Sequence, residues 1–462
     1  MPIAKDTHAA EVVTIAAVAQ PRGFFPVKLT GMGLELDRLR TWGSRGALAV
    51  LDQGLISGSN FVLGVALARW GGLEAYGAYM VMFAAFLLIA NLYQSLLIDP
   101  CIVLAYSLFP SNNGQYLRVL LRMHAIFSVG FLALAGTILA LAPRLNLHGL
   151  LVNALTGLLI ATPLVLLFWL ARCIAYVEFA PGRAVAGSAA YCGVMATGLV
   201  VAHATGGVTP ERVFVCTACG AAVASVCLLF RYRHSSPSAD KGPALGEVWG
   251  RHWKFGRWGV GTVAVGWAQT NSLSFTGGYF LGLKGVGGLN ALTGLLLPML
   301  QVLFAAARIV LPRIAQRFTL HGADATHRPV IRAAVAMTAL SATYWLALTV
   351  AHATLLRLVY GERFLAYAYL VPIIGLALIG WAAILACDIG FSSVQQPQAP
   401  FPLKILMVAI TVLVGTAMSW RFGLPGAAIA VPACATLTAV CMALRLRALW
   451  RQQRAAAALA TD

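Results

Sequence analysis

Charge is what this sequence lacks. Only 10% of its 462 residues are Asp, Glu, Lys or Arg, where a soluble chain of ordinary composition carries about 25%. Acidic residues are the scarcer kind, 15 against 33 basic ones. Catalytic signatures are missing too. There is no Walker A loop, no HExxH, no GxSxG and no soluble domain bearing a DxD. His124, His203 and His352 stand isolated. An enzyme working inside a membrane needs a clustered acid, base or metal set, so the expectation is a non-enzyme without cofactor. The cysteines form no disulfide framework. Most of the nine lie in apolar runs, among them Cys192, Cys216, Cys219, Cys227 and Cys441, and the CxxC of Cys216 and Cys219 has no second pair or His beside it. They read as small apolar packing residues. No cleavable signal peptide is expected either, because residues 1–45 are too polar and the first apolar run is a full span.

What is present is apolar length. Hydrophobic residues make up 60% of the chain. Twelve runs can each cross a hydrocarbon core of about 30 Å. They lie near 46–68, 76–98, 123–142, 149–171, 184–206, 213–230, 258–283, 285–307, 333–356, 364–387, 401–420 and 422–444. The sixth and eleventh are the weakest. The runs are continuous rather than alternating, which excludes a transmembrane β-barrel. Lipid obliges the backbone to satisfy its own hydrogen bonds, so the fold class is all-α integral membrane.

The net charge of +18 could suggest nucleic acid, but its placement says otherwise. With the N-terminus in the cytoplasm, 25 of the basic residues fall on the inner side. Seven fall outside: Arg69, Arg144, Arg212, Lys284, Arg357, Arg363 and Arg421. Arg308 lies inside a span. This asymmetry is the positive-inside rule, with both termini cytoplasmic. Anionic membrane lipid is the expected partner of these cations, and nucleic acid is not.

The chain repeats itself. Gly72–Gly77 reads GLEAYG, and 210 positions later Gly282–Gly287 reads GLKGVG. Each closes one apolar run and opens the next. Two copies of one membrane unit are a mark of transporters. The expected organisation is a basic cytoplasmic tail over 1–45, with a short surface helix near Leu34–Trp42, and a first six-helix bundle over 46–230. A cytoplasmic linker over 231–257 joins it to a second bundle over 258–444, and 445–462 forms a second tail. The linker ends in WGRHWKFGRW, where Trp249, Trp253 and Trp258 alternate with cations; such a segment suits the membrane interface. Outer loops are short, so function must be carried by the helices.

Polar residues inside spans are therefore the candidates. Asp52 lies two turns into the first span, Ser59 shares its face and Asn60 flanks it. They line a cavity for a headgroup or coupling cation, or they make a helix–helix hydrogen bond, or the Asp52 carboxylate lies close enough to the cytoplasmic surface to be hydrated. In the eighth span Asn290, Gln301 and Arg308 are spaced so that all three fall within about 20° of one line. Arg308 either pairs with a phosphate or snorkels to the cytoplasmic surface. The seventh span carries Gln269, Thr270 and Asn271, and the second Asn91 and Gln94. Asp99, before Pro100, and Asp388 read as helix-end residues. Pro163, Pro298, Pro372 and Pro432 permit kinks.

The stretch DQGLISGSNFVLGVALARWGGLEAYGAYMV, Asp52 to Val81, resembles the opening helix pair of the polysaccharide-type, Wzx-like flippases of the multidrug/oligosaccharidyl-lipid/polysaccharide (MOP) exporter superfamily. Leu67, Ala68, Arg69, Gly72, Tyr76 and Gly77 match the pattern there. GYFLGLKGVGGLNALTGLLLPM from Gly278, LVYGERFLAYAYLVPIIGLAL from Leu358 and RFGLPGAAIAVPA from Arg421 are similar to later family stretches. The resemblance covers about residues 45 to 445. It implies twelve transmembrane helices in two pseudo-symmetric six-helix bundles around a central cavity lined by spans 1, 2, 7 and 8. The implied activity is flipping a polyprenyl-pyrophosphate-linked oligosaccharide across the bacterial inner membrane by alternating access, for surface or exopolysaccharide synthesis. Its partners would be that lipid-linked oligosaccharide, membrane lipids, and the glycan polymerase and glycosyltransferases of the same pathway. Coupling to a proton or sodium gradient stays open. The alternatives are a cation-coupled multidrug antiporter of the same superfamily, which should show a deeper cluster of carboxylates, and a membrane glycan polymerase or ligase, which should show a large charged outer loop.

Overall fold

The computed structural model describes residues 32–108, 113–230, 243–322, 324–396 and 398–459. The chain divides into two units, Met1–Ala49 and Val50–Asp462. Of the first, residues 32–49 are described, as helix; the polar tail before them lies outside the described residues.

All regular structure among the described residues is helical. In order the helices are α1 (Met32–Tyr93), α2 (Asp99–Leu108), α3 (Asn113–Leu141), α4 (Gly149–Val177), α5 (Pro181–Ala204) and α6 (Pro210–Leu229). The second half holds α7 (Leu245–Gly294), α8 (Leu297–His321), α9 (Asp324–Tyr360), α10 (Val371–Gly375), α11 (Ala377–Ser393) and α12 (Phe401–Leu459). A widened π turn, Gln94–Ile98, joins α1 to α2, and a 3-10 segment, Glu362–Leu370, leads into α10.

Nine stretches of the described residues are long and apolar enough to cross a membrane. Two of these, Gly46–Ala105 with 60 residues and Phe401–Arg454 with 54, are more than twice the roughly 20 residues one crossing needs. Gly72 breaks the first and Gly423 the second. The 50 residues of α7, broken at Gly282, supply the seventh span and the start of the eighth. The result is the twelve crossings expected from the apolar runs. Gly72 and Gly282 have φ of 84° and 64° with ψ near 180°, a backbone open to glycine and strained for other residues. The repeated glycine is therefore what turns each hairpin.

Two hydrophobic cores form, one per half. The first gathers Leu63, Leu97, Leu120, Leu166, Phe168 and Leu228 with their neighbours. The second gathers Leu296, Leu303, Phe364, Phe391, Met442 and Leu446. Ala68 and Tyr76 of the first half belong to the second core, so the glycine turn of the first hairpin is planted in the opposite bundle.

Three boundaries differ from the sequence reading. Helix α7 begins at Leu245 and buries Val248 and His252, so the described part of the linker is mostly helix leading up to the seventh span. Helix α12 runs on to Leu459 and buries Leu446, Leu449 and Trp450, so the twelfth span continues into the segment read as a tail. Asp99 does not end the second span, which resumes as α2 after the π turn. An apolar stripe at helical spacing, too short to span by itself, explains the first two extensions.

Candidate functional site

The two halves meet at the end that the charge placement makes the outer one. The guanidinium of Arg69, where span 1 leaves the membrane, donates from Nε to the carbonyl of Val359 at 2.9 Å and from Nη2 to that of Leu358. Those carbonyls lie in the last turn of α9, where helix geometry leaves them without intrahelical partners. The Tyr76 ring lies against Tyr360 and Phe364, with centroids 5.9 and 6.0 Å apart. Lys284 pairs with Glu74 at 3.4 Å between the two glycine hairpins.

The span-1 stripe faces the other way. Asp52 is fully buried inside the first bundle. Arg172 of α4 reaches its Oδ2 at 2.5 Å, Tyr176 donates to the same oxygen at 2.6 Å, and Ser188 of α5 donates to Oδ1. Ser59 is buried and returns its hydroxyl to the Ile56 carbonyl. Asn60 borders a small pocket of the same bundle, of about 30 Å³, among Tyr79, Phe83, Phe168, Tyr191 and Thr217. Of these readings, Asp52 makes helix–helix hydrogen bonds, Ser59 bonds its own helix, and Asn60 lies at the pocket inside the first bundle. The reason is that a buried carboxylate needs a counter-ion and hydrogen-bond donors, and α4 and α5 supply them.

Spans 2 and 7 run together across the two halves. Trp267 donates its indole N–H to the Ala84 carbonyl at 2.7 Å. Asn91 is half-buried. Gln94 opens the π turn and donates to Asp99 at 2.6 Å, which binds it locally. Pro100 explains that turn. It has no N–H, so the carbonyl four residues earlier, Leu96, loses its helical donor. His252 of α7 replaces it, with Nδ1 3.0 Å from the Leu96 oxygen. With Nδ1 as donor, Nε2 of the neutral ring accepts from the Tyr116 hydroxyl at 2.7 Å. Gln269 is half-buried, and Asn271 donates to its own helix at the Trp267 carbonyl.

Span 8 is interrupted. A turn at Leu295–Leu296 ends α7, and α8 starts beside Pro298. Asn290 is on the near side of the break and donates to the Val286 carbonyl at 2.9 Å and to Ser274 at 3.4 Å. The turn at Leu295–Leu296 divides the stripe, with Asn290 on α7 and Gln301 and Arg308 on α8. Within α8 the relation holds. Gln301 and Arg308 lie on one face about 10 Å apart, opposite the buried Met299, Leu303 and Ile314. Both are exposed, flanked by the exposed Val302, Phe304 and Ile309, and neither has a polar partner among the described residues.

Sequence reasoning passed over Arg172, Tyr176, Ser188 and His252, which looked like loop or core residues. A buried acid calls for a cation, and Arg172 is among those that the order of the spans brings to the same membrane face. No cluster of three or more His, Cys, Asp or Glu side chains able to hold a metal occurs among the described residues.

No protein-family model matches this chain, and no curated protein matches it. Solved structures do. A multidrug resistance MATE family transporter of the MOP superfamily, in an inward-facing conformation, superposes with a TM-score of 0.71 at 12% identity, over 88% of this chain and 99% of that one. The lipid II flippase MurJ, in an inward closed conformation, gives 0.63 at 13% identity over 86% and 87%. A MOP superfamily transporter from Pyrococcus furiosus, described as having a binding pocket of reverse polarity, gives 0.58 at 11% identity over 88% and 95%. The chain has the fold of these MOP transporters.

Proposed function

We propose that this protein is a flippase that moves a polyprenyl-pyrophosphate-linked oligosaccharide from the cytoplasmic to the periplasmic leaflet of the bacterial inner membrane, for surface or exopolysaccharide synthesis. Its halves rock about the outer seam by alternating access, and both termini are cytoplasmic. The observation that carries the reading is the free face of α8. Gln301 and Arg308 share it, the face is not packed, and the guanidinium has no partner among the described residues. Two polar groups aligned on a membrane helix favour a cleft over lipid. A planar cation there can grip a pyrophosphate by two parallel hydrogen bonds while the glycan stays hydrated and the polyprenyl tail remains in lipid.

A cation-coupled multidrug antiporter is the second reading, favoured by the likeness to MATE transporters. Asp52 weighs against it, since Arg172, Tyr176 and Ser188 already occupy its carboxylate. The test is glycan export in cells whose own copy has been deleted and replaced. Arg308→Ala abolishes export with protein level and membrane insertion unchanged, and Arg308→Lys recovers part of it, because charge survives but the fork does not. Normal export by Arg308→Ala reduces this residue to a snorkelling anchor. Drug efflux lost in Asp52→Asn with glycan export intact favours the antiporter.

A further inference from the structure

The outer seam carries an open pocket of about 440 Å³ that flipping does not explain. This volume is in the range of small-ligand sites. One wall is the end of span 1, with Arg69 and Trp70; the other is the connection from α9 into the 3-10 segment, with Arg357, Glu362 and Arg363. Three of the seven outer-side cations are gathered here, against a single carboxylate.

The three arginines are not equally engaged. Arg357 is held by Glu362 through two contacts, at 2.8 and 3.3 Å. Arg69 uses two of its donors on the Leu358 and Val359 carbonyls, and a guanidinium has five. Arg363 has no hydrogen bond or ion pair among the described residues. Its Nη1 lies 2.9 Å from where a side chain on Gly72 would begin, so it reaches across to the first half. Like charges crowded at one seam repel one another unless something neutralises them.

We propose that this pocket is a site for a phosphate or pyrophosphate group, and that its occupancy holds the outer end of the protein closed. Arg363 is the main ligand, and the free donors of Arg69 complete a fork that suits phosphate oxygens. Because the walls come from both halves, the pocket exists only while they meet at this end. A ligand that binds one state and not the other stabilises the state it binds. Phosphate chemistry arriving from the outer side therefore brakes opening. The inference takes the outer side from the placement of the cations and does not depend on the flippase reading.

The test uses the full chain carrying Glu74→Cys and Lys284→Cys, with the exposed Cys219 and Cys227 changed to Ser, in phosphatidylcholine nanodiscs. The rate at which a short bismaleimide links the two new thiols reports seam closure. Sodium pyrophosphate raises that rate if the proposal holds. Arg363→Ala weakens pyrophosphate binding about tenfold, as loss of a charge-assisted contact does, and removes the rise. Glu362→Gln tightens binding, a gain that misfolding cannot imitate. A second set of discs, doped with phosphatidylglycerol and free of pyrophosphate, separates the sources. A rise only with soluble pyrophosphate assigns a free phosphate group, and a rise with the doped discs assigns a lipid headgroup. No rise in either, or an equal rise in Arg363→Ala, overturns the site. Neither result touches the Arg308 export test, which reads the opposite end of the transport path.

Discussion

Gly77 and Gly287 stand against each other's hairpins about a pseudo-twofold axis. A side chain on Gly77 would overlap the Leu283 carbonyl and lie 3.0 Å from the Gly287 nitrogen; one on Gly287 would overlap the Leu73 carbonyl and lie 3.2 Å from the Gly77 nitrogen. The partners keep the 210-residue offset of the sequence repeat. The same offset relates Asn91 to Gln301 and Ser59 to Gln269. Two glycines are needed because the backbones themselves touch.

Gly77→Ala therefore forces the hairpins apart at the outer seam. Overpacking of this kind costs about 1–3 kcal/mol. Faster labelling of a cysteine introduced at Leu283, compared with the same cysteine beside an intact Gly77, is the expected outcome. Unchanged labelling removes the close approach from the account.

The Asp52–Arg172 pair makes a stability prediction. Both side chains are out of water, 1% and 14% exposed, so removing one charge strands the other. Asp52→Ala costs about 3–5 kcal/mol by that mechanism. Joining it with Arg172→Met returns a large part of the loss, because no uncompensated charge remains. Thermal unfolding in detergent of the two single variants and the double variant checks this; a double variant no more stable than Asp52→Ala contradicts it.

His252 joins the start of α7 to Leu96 and Tyr116, and acid is expected to loosen this junction. Burial lowers its pKa, and the hydrogen bond to the Leu96 carbonyl opposes that shift in part. A histidine whose folded-state value is depressed binds fewer protons folded than unfolded, so stability falls as pH drops below the ordinary value of about 6.5. Protection factors of the amides at the start of α7, corrected for the intrinsic exchange rate at each pH, are expected to fall on acidification in the native chain. His252→Gln keeps a donor for Leu96 and does not titrate, so it should show no such change.

The architecture was legible before any coordinates. Twelve apolar runs and the glycine repeat depend on composition and local spacing, which lipid reads directly. Boundaries were less so. Leu245 and Leu459 extend helices whose ends looked like linker and tail, because a short amphipathic extension resembles a polar loop by composition. Pro100 looked like a stop, and a π turn with a histidine from another helix let the chain pass it.

The site divided in the same way. The sequence by itself determined which residues are polar inside the membrane, and within unbroken α8 it determined that Gln301 and Arg308 share a face. Which way each face points was decided only by packing. Asp52 turned inward because Arg172, some 120 residues later, arrives at the same depth. Asn290 was set on a different helix from Gln301 and Arg308 by the turn at Leu295–Leu296. Arg69, Arg357 and Arg363 came together because two halves closed on one another at the outer end. Periodicity follows from backbone geometry over a few turns, whereas facing depends on contacts between segments far apart in the chain, and no local pattern encodes those.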